Sequence, residues 1–226
     1  ALTAVTAQNS VGVSGVFNLP PEFVAKQIDA VLTDFGADAV KIGMLSTAPI
    51  IAAVADRLRA HGAGNLVLDP VMIAKSGDPL LQPDARAALA KEVLPLAHIV
   101  TPNLHEASVL AEMPVSSEAD MEEAARRILA LGPRYVLVKG GHLKESATDI
   151  LWNGRDFTRF TGPRLASTST HGTGCTFSAA IAAGLARRQS LGDAIREAKA
   201  YVTAAIREGF QAGRGVGALR HFLRSW

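Results

Sequence analysis

The chain has 226 residues, of which 48% are hydrophobic and 19% charged, so it can bury a core and is not of the disordered class. Its 23 Lys and Arg against 21 Asp and Glu leave a net charge of +2, which gives no single-sign field typical of nucleic-acid or anionic-membrane binders. One cysteine excludes an internal disulfide and a cysteine-rich metal site, and it indicates a reducing compartment. No apolar stretch reaches the ~18 residues of a membrane span, and the first residues lack the basic segment of a signal peptide. We therefore predict one cytoplasmic domain over residues 1–226.

Short apolar runs alternate with longer amphipathic stretches, which is the pattern of a parallel sheet covered by helices. The runs are continuously apolar, as buried parallel strands are. The predicted strands occupy residues 39–44, 66–69, 98–100 and 135–139. The predicted helices occupy residues 21–35, 49–59, 83–93, 119–131, 172–188 and 191–210.

Two other segments predict antiparallel strands. Residues 5–17 are interrupted by Gly and Ser yet carry several apolar side chains, which predicts a ribbon that projects from the sheet and contributes to a homodimer. Asn153-Gly154 separates two β-type runs, the usual signal of a hairpin, here at the sheet edge. The predicted fold class is thus α/β, with a mostly parallel sheet, helices on both faces and a small projecting ribbon.

Polar residues follow several predicted strand ends, where open α/β sheets bind their ligands. Asp69 ends the second run, and its alternative role is to cap the following turn. Lys75, in Lys75-Ser76-Gly77, is suited to hold a phosphate, although such a turn is also ordinary at a surface. Lys139 begins a Lys-Gly-Gly-His segment whose glycines permit a flat ligand to approach the backbone.

Asn103 and Glu106 follow the third predicted strand. Their spacing is that of a capping box, in which the two side chains satisfy the first backbone donors of a helix. The functional interpretation is an indirect, water-bridged hold on Mg²⁺ and phosphate. The two interpretations are compatible, because a cap can also fix a carboxylate in a site.

The segment Gly172-Thr173-Gly174-Cys175 precedes an alanine-rich helix. Glycines at a helix N-terminus leave N–H groups free for an anion, and the helix dipole is expected to favour the Cys175 thiolate. Alternatively, the glycines allow tight packing and the cysteine is a small buried hydrophobe.

The glycines at 213, 215 and 217 follow the last predicted helix, where a flexible tail is the simplest interpretation. No Gly-Lys dipeptide is present, which excludes a Walker-type P-loop.

Taken in order, these motifs resemble the hydroxymethylpyrimidine/phosphomethylpyrimidine kinases of thiamin biosynthesis, in the ribokinase-like superfamily. The resemblance covers nearly the whole chain through TAVTAQN, LPPEFV, KIGML, LDPVM, AKSG, TPN, VKGGH and THGTGCT. It implies a ribokinase-like three-layer fold and ATP- and Mg²⁺-dependent phosphorylation of a small hydroxymethylpyrimidine and then of its monophosphate. It also implies a homodimer.

The resemblance assigns a role to each matching residue. Cys175 takes the general-base position, and the amides of Gly172, Thr173 and Gly174 form an anion hole. Gln8, Met44 and Val71 contact the pyrimidine. The ATP, phosphate and metal side of the site comprises Asp69, Lys75, Asn103, Glu106, Lys139, Gly141 and His142.

This chain begins after the strand, turn and helix with which the family opens. We therefore expect a preceding unit of roughly 30 residues in the gene product. Two other functions fit the same residues: a pyridoxal kinase of this superfamily, and a nucleotide-binding module without catalysis.

Overall fold

The computed structural model describes residues 1–73, 77, 80–141 and 147–223. Its strands are β1 Ala4–Gln8, β2 Val13–Asn18, β3 Val40–Ile42, β4 Leu66–Leu68, β5 Ile99–Val100, β6 Tyr135–Val138, β7 Ala147–Trp152 and β8 Phe157–Gly162. Its α-helices are α1 Pro21–Asp34, α2 Ala48–Ala60, α3 Pro83–Ala88, α4 Leu104–Ala111, α5 Glu118–Leu129, α6 Thr173–Ala186 and α7 Leu191–Arg207. No helix among these residues is long and apolar enough to cross a membrane.

One sheet of six strands runs in the order β3-β4-β5-β6-β7-β8. The first four strands are parallel, and β7 and β8 add an antiparallel edge. The turn between β7 and β8 carries Asn153-Gly154, with Gly154 at a positive φ of 90° and the Asn153 side chain accepting two backbone N–H groups. The predicted edge hairpin is confirmed.

Helices cover both faces of this sheet. Successive residues of a strand point to opposite faces, and in β4 Leu66 and Leu68 join the core packed under α1 to α5, whereas Val67 joins the core under α6 and α7. These two cores make the three-layer α/β arrangement that the alternating pattern predicts.

The predicted helix over residues 83–93 is wrong in its second half. The α-helical part ends at Ala88, residues Leu89–Val93 form a π-helical turn, and Leu94–Leu96 form a 3₁₀ turn. The Leu94 N–H donates to the Leu89 carbonyl, five residues back, and Pro95 has no N–H with which to continue the helix. The other predicted helices are confirmed to within three residues at each end.

Strands β1 and β2 form a separate antiparallel ribbon, as predicted. Two hydrogen bonds attach its base to the loop after β3: the Thr3 hydroxyl donates to the Met44 carbonyl at 2.7 Å, and the Ser46 hydroxyl donates to Asn18 Oδ1 at 2.7 Å. The ribbon therefore stands at the carboxyl edge of the parallel strands, where the sequence predicts a site.

Candidate active site

The carboxyl ends of the parallel strands bring distant segments together. Leu68 pairs with Val100 and Val100 with Val136, so the residues that follow these strands lie side by side. The connection continues past the strands, because the Lys139 N–H donates to the Pro102 carbonyl at 2.8 Å. The strand-end residues Asp69, Asn103 and Lys139 thus share one edge of the sheet.

A buried ion pair joins two of these strand ends. Lys139 Nζ lies 2.8 Å from Asp69 Oδ1, with the side chains 14% and 3% exposed. Burial lowers the pKa of Lys139, but the carboxylates of Asp69 and Glu106 outweigh it, so the net pKa is raised. The lysine therefore stays charged in a largely dehydrated place, where a cation interacts strongly with an anionic ligand.

The start of α6 closes on this pair. Gly172 adopts the left-handed conformation with φ of 82°, which reverses the chain into the helix. A methyl group on Gly174 would lie 3.2 Å from Lys139 Nζ and 3.7 Å from Asp69 Oδ2, so glycine allows the close approach. The first turn of α6 consequently lies directly against the lysine ammonium.

The N–H groups at this helix start are partly those predicted for the anion hole. Within the described part of the chain, the N–H groups of Gly172, Gly174 and Cys175 meet no backbone carbonyl. The N–H of Thr173 instead lies 3.4 Å from the Thr170 carbonyl. The free donors suited to an anion are therefore those of Gly172, Gly174 and Cys175.

Cys175 lies beside Asp69 in the first turn of α6. The residue is exposed, yet crowding of its thiol by protein atoms and the charge of Asp69 raise its pKa, and the smaller effects of Lys41 and Lys139 oppose this. Burial and the charge of Asp69 thus act against the dipole-stabilised thiolate that the sequence predicts. When the pKa of a thiol is raised, its thiolate is a stronger base, but a smaller fraction of the thiol is ionised at neutral pH.

The Asn103–Glu106 capping box is confirmed. The Glu106 N–H donates to Asn103 Oδ1 at 2.9 Å, and the Asn103 N–H donates to Glu106 Oε2 at 2.8 Å. Glu106 is 4% exposed, and burial raises its pKa to about 7 against the opposing charge of Lys139. A buried carboxylate with a raised pKa is stabilised in its charged form when a cation binds beside it.

The predicted pyrimidine contacts lie on the loops beside the ribbon. Met44 and Val71 follow the paired ends of β3 and β4. The Met44 carbonyl accepts a hydrogen bond from the Thr3 hydroxyl at the base of the ribbon. Gln8 ends β1 and is exposed. Among the described residues no hydrogen bond ties the Gln8 side chain to the rest of the site, so its position depends on the ribbon.

Two predicted phosphate-binding residues, Lys75 and His142, lie outside the described residues. Gly141, which precedes the second of these, is exposed. Its neighbour Gly140 donates its N–H to the buried Asp149 Oδ1 at 3.0 Å, and Lys199 Nζ binds Asp149 Oδ2 at 2.7 Å. The backbone next to the predicted nucleotide segment is therefore anchored to α7.

Comparison with known proteins confirms the family that the sequence motifs indicate. The family described as phosphomethylpyrimidine kinase matches residues 1–220. The chain belongs to this family. The hydroxymethylpyrimidine/phosphomethylpyrimidine kinase of Salmonella typhimurium is 44% identical over 229 residues, which are 100% of this chain and 86% of that protein. The thiamine biosynthesis bifunctional protein ThiED of Geobacter sulfurreducens is 50% identical over 223 residues, which are 98% of this chain and 46% of that protein.

Solved structures confirm the ribokinase-like fold of this phosphomethylpyrimidine kinase family member. An ADP complex of Bacillus subtilis pyridoxal kinase has a TM-score of 0.90 and 39% identity, and the match covers 98% of this chain and 85% of that one. Staphylococcus aureus pyridoxal kinase in complex with AMP-PCP and pyridoxal has a TM-score of 0.89 and 36% identity, with coverage of 98% and 81%.

The structure also places at this candidate site two residues that the sequence analysis missed. Ser178 is fully buried one turn after Cys175, with its hydroxyl 3.4 Å from Asp69 Oδ2 and 3.0 Å from the Cys175 carbonyl. Lys41 is near enough to the Cys175 thiol to lower its pKa. A serine on the buried face of an apolar helix and a lysine inside the apolar run 39–44 were the available signals.

The residues present fit Mg²⁺ only in company with a phosphate ligand. Within the described ranges no three His, Cys, Asp or Glu side chains are grouped to hold a metal. Mg²⁺ is usually bound by one or two carboxylates together with substrate phosphates and water. The buried carboxylate of Glu106, with its raised pKa, suits that arrangement.

Proposed function

We propose that this protein transfers the γ-phosphoryl group of ATP to the 5-hydroxymethyl oxygen of 4-amino-5-hydroxymethyl-2-methylpyrimidine, and then phosphorylates the monophosphate. The observation that carries the proposal is the Asp69–Lys139 pair beside the first turn of α6, where the N–H groups of Gly174 and Cys175 meet no backbone carbonyl. Phosphoryl transfer depends mainly on positioning and on stabilising negative charge, and this arrangement supplies both. The kinase family and the names of its relatives support the substrate.

In the proposed reaction the substrate hydroxyl oxygen attacks the γ-phosphorus of ATP. The bond from that phosphorus to the bridging oxygen breaks, and ADP leaves with the electron pair. The Cys175 thiolate accepts the hydroxyl proton, while Lys139 and the N–H groups at the start of α6 stabilise the charge on the transferring group. Mg²⁺, when bound with ATP, would neutralise phosphate charge, and Glu106 and Asn103 would hold it through water.

The other predicted contacts complete the proposed site. Gln8 hydrogen-bonds the aminopyrimidine, and Met44 and Val71 pack on its ring. Lys75, Lys139, Gly141 and His142 border the nucleotide and its phosphates. We propose one kinase domain over residues 1–226, working in the cytoplasm.

We also propose that the protein forms a homodimer through the ribbon. Val5, Val11 and Phe17 expose 53%, 63% and 68% of their surface there. An apolar patch of this kind usually marks an interaction surface. Solution scattering over a range of concentrations tests the proposal, and a monomer mass at every concentration would contradict it.

Formation of ADP with and without the pyrimidine tests the main proposal. We expect ADP release only when the hydroxymethylpyrimidine and Mg²⁺ are both present, with a phosphorylated product confirmed by mass spectrometry. Absence of ADP release under these conditions would contradict the proposal and favour the nucleotide-binding module without catalysis. ADP release without the pyrimidine would also contradict it, because that is hydrolysis of ATP.

Pyridoxal kinase activity is the second candidate, and the TM-score of 0.90 to a pyridoxal kinase favours considering it. The ratio of kcat/KM for the hydroxymethylpyrimidine to kcat/KM for pyridoxal decides between the two functions, because that ratio measures relative transition-state binding. We expect the pyrimidine to be preferred.

A further inference from the structure

The glycine-rich segment after α7 is not a flexible tail. Residues 210–219, called the strap here, begin and end against each other, because Phe210 and Ala218 exchange two backbone hydrogen bonds. Leu219 is 3% exposed and packs into the protein. The strap is thus a closed loop fixed at both ends.

One side of the strap holds the tip of the ribbon. The Val216 N–H donates to the Ser10 carbonyl at 2.9 Å, and the Gly215 N–H donates to the Ser10 hydroxyl at 3.2 Å. Ser10 lies in the turn between β1 and β2, two residues after Gln8. The tip of the ribbon is therefore bonded to the strap.

The next residue of the strap holds the loop that leads into α6. The Gly217 N–H donates to the Thr168 carbonyl at 3.1 Å, and the His171 N–H donates to the Gly217 carbonyl at 3.1 Å. His171 directly precedes Gly172, the first residue of the segment Gly172–Cys175 that is proposed to bind the anion and is called the anion-binding turn below. Adjacent residues of the strap thus clamp the ribbon tip and this loop to each other.

Space explains why glycines occupy these strap positions. Gly213, Gly215 and Gly217 are not among the residues with positive φ, so an unusual backbone conformation does not require them. A methyl group on Gly215 would overlap the carbonyl group of Ser10, and one on Gly213 would overlap the Ser10 hydroxyl. One on Gly217 would overlap the Ser169 hydroxyl. The glycines let the strap backbone reach both partners.

The ribbon depends on this contact because it has little core of its own. Most side chains of β1 and β2 are exposed, and an isolated pair of strands is marginally stable in water. Its base is attached through Thr3 and Asn18, at the far end from Gln8. Without the strap, the ribbon could swing about its base and carry Gln8 away from the loop before α6.

From these contacts we propose that the strap positions the pyrimidine-binding ribbon over the anion-binding turn. Ser10 and Gly215 are positioning residues that act through Gln8. This inference rests on the proposed function, since it assigns Gln8 to the substrate. It predicts that damage to the strap weakens binding of the pyrimidine and leaves binding of ATP nearly unchanged.

The test compares Gly215→Ala with Gly64→Ala, a matched control at a glycine around which the added methyl meets no atom within 4 Å. Steady-state kinetics give KM for the pyrimidine and for ATP, and hydrogen–deuterium exchange reports on the amides of residues 4–18. For Gly215→Ala we expect the pyrimidine KM to rise about tenfold, as the loss of one or two hydrogen bonds allows. The ATP KM should stay within about twofold of wild type and ribbon exchange should accelerate, while Gly64→Ala matches wild type. An equal rise in both KM values, or an unchanged ribbon exchange, would overturn the proposal.

A second pair of variants keeps the test decisive if Gly215→Ala does not fold. Gly213→Ala should raise the pyrimidine KM in the wild-type background, because its methyl meets the Ser10 side chain. In a Ser10→Gly background the same change should have no further effect. An equal effect in both backgrounds would contradict the proposed contact.

The proposed function and the strap can fail separately. Wild-type protein that forms no ADP with the pyrimidine contradicts the function. An active wild type whose Gly215→Ala variant keeps its pyrimidine KM contradicts the strap.

Discussion

The ammonium group of Lys139 lies 2.8 Å from the carboxylate of Asp69, although 70 residues separate them in the chain. The two residues follow β4 and β6, which are separated in the sheet by one strand. Both side chains are largely buried, so each charge relies on the other. Removing one partner of such a pair leaves the other charge buried without a counter-charge, whereas removing both partners does not.

We therefore expect Lys139→Met to lower the free energy of unfolding by about 3–5 kcal/mol and to abolish most turnover. The double variant Asp69→Asn/Lys139→Met should recover much of that stability but not the turnover. Urea denaturation and ADP formation measure the two effects. Recovery of turnover in the double variant would show that neither charge takes part in the reaction.

Cys175 is expected to act as the base, and Cys175→Ala should lower kcat by about 10²–10⁴-fold with little change in the KM for ATP. Near-wild-type turnover of this variant would return Cys175 to a packing role. Because burial and Asp69 raise the pKa of the thiol, kcat/KM for wild type should increase with pH well above neutrality. Cys175→Asp, which supplies a more acidic base, should move that rise to lower pH. The same ascending limb in Cys175→Asp and wild type would assign it to another group.

Alkylation gives an independent measure of the same thiol, since Cys175 is the chain's single cysteine. The thiolate is the reacting form, so a raised pKa predicts slow modification by iodoacetamide at neutral pH. The rate should climb steadily above pH 9, the ordinary value from which this pKa is raised. Intact-mass measurement follows the reaction, and a rate that levels off below pH 8 would contradict the raised pKa.

Glu106 should make the stability of the protein depend on pH. Its pKa rises from 4.5 to about 7 on folding, so the folded state binds this proton more tightly than the unfolded state. Stability contributed by the protonated form is complete below about pH 4.5 and is lost as the pH rises to about 7, by roughly 3 kcal/mol at most. Glu106→Gln keeps an oxygen for the capping box and lacks this titration.

The stability of Glu106→Gln relative to wild type should therefore increase as the pH rises from 5 to 8. Thermal unfolding without nucleotide measures this difference. The kcat of Glu106→Gln should be lower than that of wild type, and its rate should depend less on the Mg²⁺ concentration. A constant difference in stability across this range would contradict the raised pKa. An unchanged Mg²⁺ titration would leave Glu106 with its capping role alone.

Lys199 is expected to influence nucleotide binding from a distance. Its ammonium binds Asp149, which in turn accepts the Gly140 N–H next to the predicted nucleotide segment. We expect Lys199→Met to raise the KM for ATP severalfold and to leave the KM for the pyrimidine unchanged. Lys26→Met, at an exposed lysine, is the matched control. Equal changes in both KM values would indicate general destabilisation.

Much of this site follows from local sequence patterns. The helix start at Gly172, the Asn103–Glu106 capping box and the strand ends at Asp69 and Lys139 are encoded by spacing within a few residues. The alternation of apolar runs and amphipathic stretches likewise determines the α/β class, and Asn153-Gly154 between two β-type runs determines the edge hairpin. Such features are predictable because they depend on hydrogen bonds and side-chain periodicity within one segment.

The tertiary structure alone decided which of these segments meet. Ser178 approaches Asp69 across 109 residues and Gly215 approaches Ser10 across 205, and no local pattern in either segment specifies its partner. The raised pKa of Cys175 is of the same kind, because it depends on burial and on a carboxylate from another strand end. Hydrogen bonds and packing contacts act over a few ångströms, and electrostatic interactions weaken with distance in space, whatever the separation along the chain. They are therefore determined only when the strands are ordered in the sheet.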